Sequence, residues 1–259
     1  MSAIYKRELA SYFRSPIGWV AIAIFALMGG FFFAIYMQNS SSVNISDELN
    51  FLRYVFFVVI PLITMRLFSE EKKNGTEVLL YTAPVPLYKV VLGKYFAALS
   101  LLLIMVSSTL IHVVLVVIMG GLVDTGTLGS YIGFVFLAAV FISIGVLCSA
   151  VTENQIIAAV ISFVVIFFST ILSMIASTVQ SAFVSIVTTL NFLKLSTSSI
   201  NKAGEAVANG INWLDPSVRT DTFTQGIFSI SPLLFCLSLV ILFLFLTYRI
   251  LEKRRWSQS

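Results

Sequence analysis

An all-α integral membrane protein with six transmembrane helices is the fold class this chain predicts, and three observations predict it. Of its 259 residues, 58% are hydrophobic and 11% charged, with a mean hydropathy of +0.99. Soluble domains carry about 45–50% apolar residues, so this much apolar surface needs lipid as its solvent. Six runs, at 17–37, 51–68, 90–119, 132–151, 156–175 and 232–248, are long enough to cross a hydrocarbon core that takes about 20 helical residues. The runs are continuously apolar, whereas barrel strands alternate over about ten residues. The net charge of +4 does not form a basic stripe for nucleic acid, because the lysines and arginines flank the apolar runs.

Residues 1–16 precede the first run. In "SAIYKRELASYFRS" a helical period of about 100° per residue sets Tyr5, Leu9, Tyr12 and Phe13 on one face and Arg7, Ser11, Arg14 and Ser15 on the other. Pro16 ends the helix. An amphipathic helix along the inner leaflet follows, and Glu8 lies within it. Span one, Ile17–Met37, exceeds the roughly 7–15-residue apolar region of a cleaved signal, so it is expected to be retained.

Span two ends at Arg66, and residues 69–89 form a charged loop. Ser69-Glu70-Glu71-Lys72-Lys73 is followed by the turn signal Asn74-Gly75, and Thr76 is expected to cap a short helix through Leu80. The run Thr82-Ala83-Pro84-Val85-Pro86 breaks the chain, with Pro86 suited to the first turn of the next helix. Val78, Leu79 and Leu80 between charged flanks read as an apolar knob for a partner's groove. Span three is too long to stand upright, so it tilts or extends past the headgroups.

Residues 176–231 lie between spans five and six. Phe183, Val187 and Leu190 repeat at helical spacing, so 179–195 is a candidate re-entrant helix or a continuation of span five. The stretch "STSSINKAGEAVANGINWLDPSV" is turn-rich and polar and reads as a loop.

Orientation follows from the basic residues between spans. Lys6, Arg7, Arg14, Arg66, Lys72, Lys73, Lys89, Lys94, Arg249, Lys253, Arg254 and Arg255 fall on one side; Arg53, Lys194, Lys202 and Arg219 fall on the other. The first set marks the cytosolic side, with both termini there.

Several chemistries lack their residues. No buried carboxylate near a span centre offers an ion-coupling group. His112, with Ser107 and Ser108 one turn earlier, has no carboxylate in sequence reach to orient its ring, so a neutral histidine bonded to a neighbouring helix is expected. No His/Cys/Asp/Glu cluster has metal spacing, and Gly93-Lys94-Tyr95 is not a phosphate-binding loop. Cys148 and Cys236 both lie in apolar runs and read as packing residues. Neither catalytic, cofactor nor metal residues are expected. Work on a cargo must then arrive from another subunit through a cytosolic docking surface.

"PLITMRLFSEEKKNGTEVLLYTAPVPLYKVVLGKYFAA", Pro61 to Ala98, resembles the segment joining spans two and three in ABC-2-type permeases of bacterial ABC transporters, in particular the gliding-motility and copper-oxidase-maturation branch. "FLTYRILEKRRW", Phe245 to Trp256, is similar to that branch's ending. The resemblance implies a multi-pass permease of the bacterial cytoplasmic membrane. It implies a homo- or heterodimer, driven by separate ATPase subunits that bind ATP and magnesium. It places ATPase coupling on Arg66, Ser69, Glu70, Glu71, Lys72, Lys73, Gly75, Thr76 and Glu77, to which the knob reading adds Val78 and Leu79, and an ATPase-facing interface helix on the amphipathic segment with Tyr5, Arg7, Glu8, Leu9, Tyr12, Phe13 and Arg14. Relatives also carry short membrane-dipping helices before the last span, and an extracytoplasmic accessory protein is a further implied partner. Where they have a charged Gly-Val-Ile-Asp-x-Arg-Asp pattern, this chain reads Gly226-Ile-Phe-Ser-Ile-Ser-Pro232, so a role of those charges does not carry over. The expected function is export of a lipidic, amphipathic or peptide cargo. A non-transporting anchor that recruits an ATPase, and an intramembrane enzyme at His112, are the alternatives.

Overall fold

The computed structural model describes residues 1–39, 44–77, 85–120, 123–189, 196–213 and 215–257. Among these, every regular element is helical. They are α1 (Ser2–Arg14), α2 (Pro16–Asn39), α3 (Ile45–Thr64), α4 (Ser69–Lys73), α5 (Leu87–Ile118), α6 (Thr125–Val151), α7 (Gln155–Thr189), α8 (Thr197–Asn212), α9 (Pro216–Thr220), a 3₁₀ turn (Asp221–Gln225) and α10 (Ile230–Ser257). Six helices among the described residues are long and apolar enough to span a membrane: α2, α3, α5, α6, α7 and α10.

The bundle is organised around α6. In its most apolar window 78% of residues are buried, against 17% in α7. Its neighbours are α3, α5, α7, α10 and the 3₁₀ turn. Small residues make this possible, since they let backbones approach where lipid supplies no hydrophobic drive between helices. A Cβ on Gly145 would stand 2.8 Å from Thr64 Cβ of α3. Ser143 and Ser149 are wholly buried on the same helix. The surrounding helices turn large side chains outward, Leu27, Phe31, Ile118, Ile156, Met174 and Phe245 among them, as a lipid-facing surface requires.

Two sequence expectations are corrected here, and one of two alternatives is chosen. Helix α3 starts at Ile45, not Phe51, because Asn44 Oδ1 accepts the Ser46 N–H at 2.9 Å and Asp47 and Glu48 occupy the first turn, where the helix dipole favours acid. Its regular turns end at Thr64. The polar stretch after residue 196 is not a loop. Ser196 caps α8, whose Ile200, Gly204 and Ala208 are buried, and α8 packs back along the end of α7 as an antiparallel hairpin. Gly204 sits under Val184 and Gln180, so small residues again set the approach. The periodicity was broken by Gly, Ser and Asn, which favour turns unless a partner helix covers the small face. Finally, α7 runs unbroken from Gln155 to Thr189, about 52 Å at 1.5 Å per residue, so 179–189 continues the fifth span; 190–195 lie outside the described residues.

At the end of the bundle away from most of the basic residues, a carboxylate does meet His112. Glu48 Oε1 lies 2.6 Å from His112 Nδ1, and the ring stacks on Phe33 at 4.5 Å with planes 10° apart. Sequence distance hid the pair, since 64 residues separate its members. The Ser107 and Ser108 hydroxyls instead donate to Ile104 O and Met105 O of their own helix. Replacing His112 with phenylalanine keeps the stack but leaves Glu48, 1% exposed, without a partner. A loss of about 1–3 kcal/mol is expected, read by thermal unfolding in detergent, with most of it recovered in His112→Phe/Glu48→Leu. Unchanged melting of the single variant would show that the pair contributes nothing.

Candidate coupling site

The basic end of the bundle is built by three segments that meet: α1, the turn and short helix after α3, and the first turns of α5. The α1 helix stops at Ser15, whose backbone is extended, and Pro16 begins α2. Gly18 makes that corner possible, since a Cβ there would lie 2.8 Å from Tyr12 C. The face of α1 predicted as apolar packs on protein, not on the leaflet. Tyr12 is buried and donates to Ile63 O at 2.7 Å; Tyr5 shares a 2.9 Å hydrogen bond with Ser100 of α5; Ile4, Leu9 and Phe13 lie against the core. Gly93 lets α1 this close, because a Cβ there would stand 3.1 Å from Ile4 Cγ2.

Where α3 breaks at Met65–Phe68, orphan backbone groups need partners. Ser149 of α6 provides them: its Oγ accepts the N–H groups of Phe68 and Ser69 at 2.9 and 3.2 Å and donates to Met65 O at 3.1 Å. The Ser69 hydroxyl donates to the same Met65 O, and Lys72 Nζ donates to Ala150 O. Arg66 forks onto Glu70, with Nε to Oε2 at 2.7 Å and a second bond to Oε1 at 3.0 Å, and also donates to Ser15 Oγ at 2.7 Å. A fork of this kind fixes orientation as well as distance.

At the centre is Lys94, 1% exposed. Its Nζ lies 3.1 Å from Glu8 Oε1, 3.0 Å from Glu71 Oε1 and 2.5 Å from Leu67 O, and 5.1 Å from the centre of the Phe68 ring. Arg7 closes the group, 2.6 Å from Glu8 Oε1 and 2.9 Å from Glu71 Oε1. The hydrogen bond to Glu8 raises the Arg7 guanidinium above its ordinary pKa, against the opposing effect of partial burial. One lysine of α5 thereby ties α1 to α4. From the other side Arg254 of α10 approaches Glu77 at 3.9 Å and Glu153 at 3.6 Å.

The eleven residues named for coupling divide under this geometry. Ser69, Lys72 and Glu77 are buried and face the bundle; Arg66, Glu70 and Glu71 are half-buried and engaged as above; Lys73, Gly75 and Thr76 are exposed. Val78 and Leu79, and so the apolar knob, lie outside the described residues. Gly75 has φ of +68°, a left-handed turn that glycine adopts at least cost. The Thr76 hydroxyl donates back to Glu71 O at 3.3 Å. Pro86 is the cap of α5 and not its first residue. Of the interface-helix residues, Arg7 and Arg14 face outward beside this rim, while Tyr5, Glu8, Leu9, Tyr12 and Phe13 face inward to varying degree. What sequence reasoning missed is Lys94 and Ser149. The signal for Lys94 was in the sequence: a charge about two turns inside a mostly apolar helix needs a named partner.

A family model described as ABC-2 family transporter protein matches residues 2–256. No match is found among curated proteins.

Proposed function

The chain belongs to the ABC-2 family of transporter proteins and is a membrane-spanning permease subunit of an ABC transporter, and from that premise we propose that its exposed rim at the basic end is where a separate ATPase grips it. The observation that carries this reading is the Lys94 cluster. It joins α1, α4 and α5 into one body, so a push on the rim moves three segments together and cannot be absorbed by a loose loop. The rim itself, Lys6, Arg7, Arg14, Lys73, Asn74, Gly75 and Thr76, is polar and accessible. By the excess of lysine and arginine it faces the cytosol.

In this reading two permease chains, identical or not, line one pathway, and ATP-driven closure of the paired ATPases tilts α2, α3 and α5 as levers that switch access between the two sides. ATP and magnesium are bound by those partners. The span walls are Phe, Leu, Val and Ile with scattered Ser and Thr, which suits export of a lipidic, amphipathic or apolar peptide cargo.

The test uses the rim and leaves the interior cluster alone. Glu71→Lys would be a poor probe, because Glu71 holds Lys94. Lys73→Glu with Thr76→Arg is expected to reduce co-purification of the cognate ATPase about tenfold or more, with the melting temperature of the permease unchanged. Undiminished co-purification would remove the docking assignment. Thr76→Cys should also react with an impermeant maleimide only from the cytosolic side; Cys148 and Cys236 are buried, so the background is low. Labelling from outside intact cells would overturn the orientation.

A further inference from the structure

A cleft of about 720 Å³ opens at the end of the bundle opposite the coupling site, between α2, α3, α6, α7 and the segment that follows α8. That volume lies within the range of about 300–1,000 Å³ usual for small-molecule sites. Its lining is mixed. Phe32, Phe51 and Phe141 give apolar walls; Asp47, Arg53 and Asp221 bring charge.

The charges are incompletely matched. Arg53 is 13% exposed at its side chain, and one nitrogen, Nη1, meets Asp221 Oδ1 at 2.5 Å. Its Nε is buried with no hydrogen-bond partner among the described residues. A buried guanidinium donor without an acceptor is costly, and acceptors with fork geometry, carboxylate or phosphate, relieve it. Asp47, half-buried one wall away on the same helix, has no ion pair among the described residues. With Asp221 already on Arg53, the cleft carries one carboxylate in excess, so a simple anion meets repulsion there. A molecule bearing both a phosphate and an ammonium meets neither problem. Asp47 and Arg53 are separated by about 9 Å of helical rise, and both side chains line the same cleft, which suits one short zwitterion laid between them.

A path for an apolar tail leaves the cleft. Tyr54, which lines it, meets Phe57 edge-on at 6.2 Å, and Phe57 meets Phe167 of α7 at 5.5 Å and Phe163 at 6.2 Å. Tyr54, Phe163 and Phe167 are exposed on the lipid-facing side. We propose that this cleft binds the headgroup of a zwitterionic phospholipid of the ethanolamine type, with the phosphate on Arg53, the ammonium on Asp47 and the acyl chains along the Tyr54–Phe57–Phe167 stripe. Binding there is independent of what the pathway transports, and of where the ATPase docks.

The experiment titrates the full chain, purified in non-ionic detergent, with dihexanoyl phosphatidylethanolamine, read by native mass spectrometry. Dihexanoyl phosphatidylglycerol and free phosphoethanolamine are run in parallel. Saturable binding of the ethanolamine lipid is expected, at least about tenfold tighter than phosphatidylglycerol, which lacks one charge-assisted contact, and than phosphoethanolamine, which lacks the buried chains. Arg53→Gln and Asp47→Asn should each weaken it about tenfold, and Asp47→Asn should narrow the gap to phosphatidylglycerol by removing the free carboxylate. Arg53→Gln also loses the Asp221 pair and risks misfolding; Asp47 has no ion pair to lose among the described residues, so Asp47→Asn decides the matter alone. Equal binding of both lipids, tight binding of phosphoethanolamine without chains, or an Asp47→Asn variant that binds like the parent would each overturn the proposal.

Discussion

Lys94→Met is expected to be the most damaging single substitution at the basic end, lowering stability by about 3–5 kcal/mol, because removing one member of a buried ionic group leaves its partners uncompensated. In this protein the orphans are Glu8 and Glu71. Glu71 Oε2 is already buried without a hydrogen bond among the described residues, so the carboxylate has little left once Nζ is gone. Arg7 remains, but its side chain is 58% exposed and must serve both acids. The local consequence is release of α1 from α5, seen as faster tryptic cleavage at Lys6, Arg7 and Arg14. Replacing both charges, Lys94→Met with Glu71→Met, leaves Arg7 with Glu8 and should recover most of the melting temperature, as apolar replacements of buried pairs often do. Its value is in separating two roles. If the cluster transmits force, the double variant melts like the parent yet shows cargo-stimulated ATPase activity reduced to the basal level. If stimulation returns along with stability, the cluster is structural and the coupling reading fails at this point.

Gly129→Val is the second large effect, at the other end of the bundle. A Cβ on Gly129 would stand 2.9 Å from the carbonyl carbon of Phe223 and closer still to its oxygen. The obstacle is backbone, which cannot rotate away like a side-chain tip. Phe223 is itself buried and anchors the 3₁₀ turn against α6, beside Gly126 and Gly133. The turn must therefore lift off, at about 3 kcal/mol or more, the upper part of the range for overpacking. Limited proteolysis across 215–229 and a thermal melt would report it. Gly30→Ala is the control, since nothing lies within 4 Å of a Cβ there. It should be neutral or stabilising by about 0.5–1 kcal/mol, from lower entropy of the unfolded chain and better helix propensity. A Gly129→Val protein that melts with the control would refute the close approach of α6 to the turn.

How far the site was legible can be followed residue by residue. The amphipathic pattern of α1 was readable from Tyr5, Leu9, Tyr12 and Phe13, and Arg7, Ser11 and Arg14 do face outward. The surface those apolar residues cover was not readable, because a hydrophobic face has no label for lipid or protein; Gly93, which admits α1 to α5, shows its purpose only in contact. In the charged loop the sequence marked a cluster of charges without sorting it. Lys72 and Lys73 are neighbours of identical chemistry, yet one donates to Ala150 O and the other is exposed, a difference set by which way a single short helix turns. His112 reads in the sequence as a lone intramembrane histidine, and Glu48 lies outside the run at 51–68 with nothing to mark it. Their pairing depends on the packing of α3 on α5, which no local window contains.

By itself the sequence determined that this chain dissolves in a membrane, how many times it crosses, and which end is rich in positive charge, because hydrocarbon thickness and the cost of unsatisfied backbone act on each segment separately. The tertiary structure alone decided which charges stay at the surface and which are used inside, and turned a polar stretch into the helix α8. Those outcomes are pairwise. Lys94, Glu48 and Gly204 take their roles from groups dozens or scores of positions away or on another helix, and a one-dimensional pattern carries no measure of that distance.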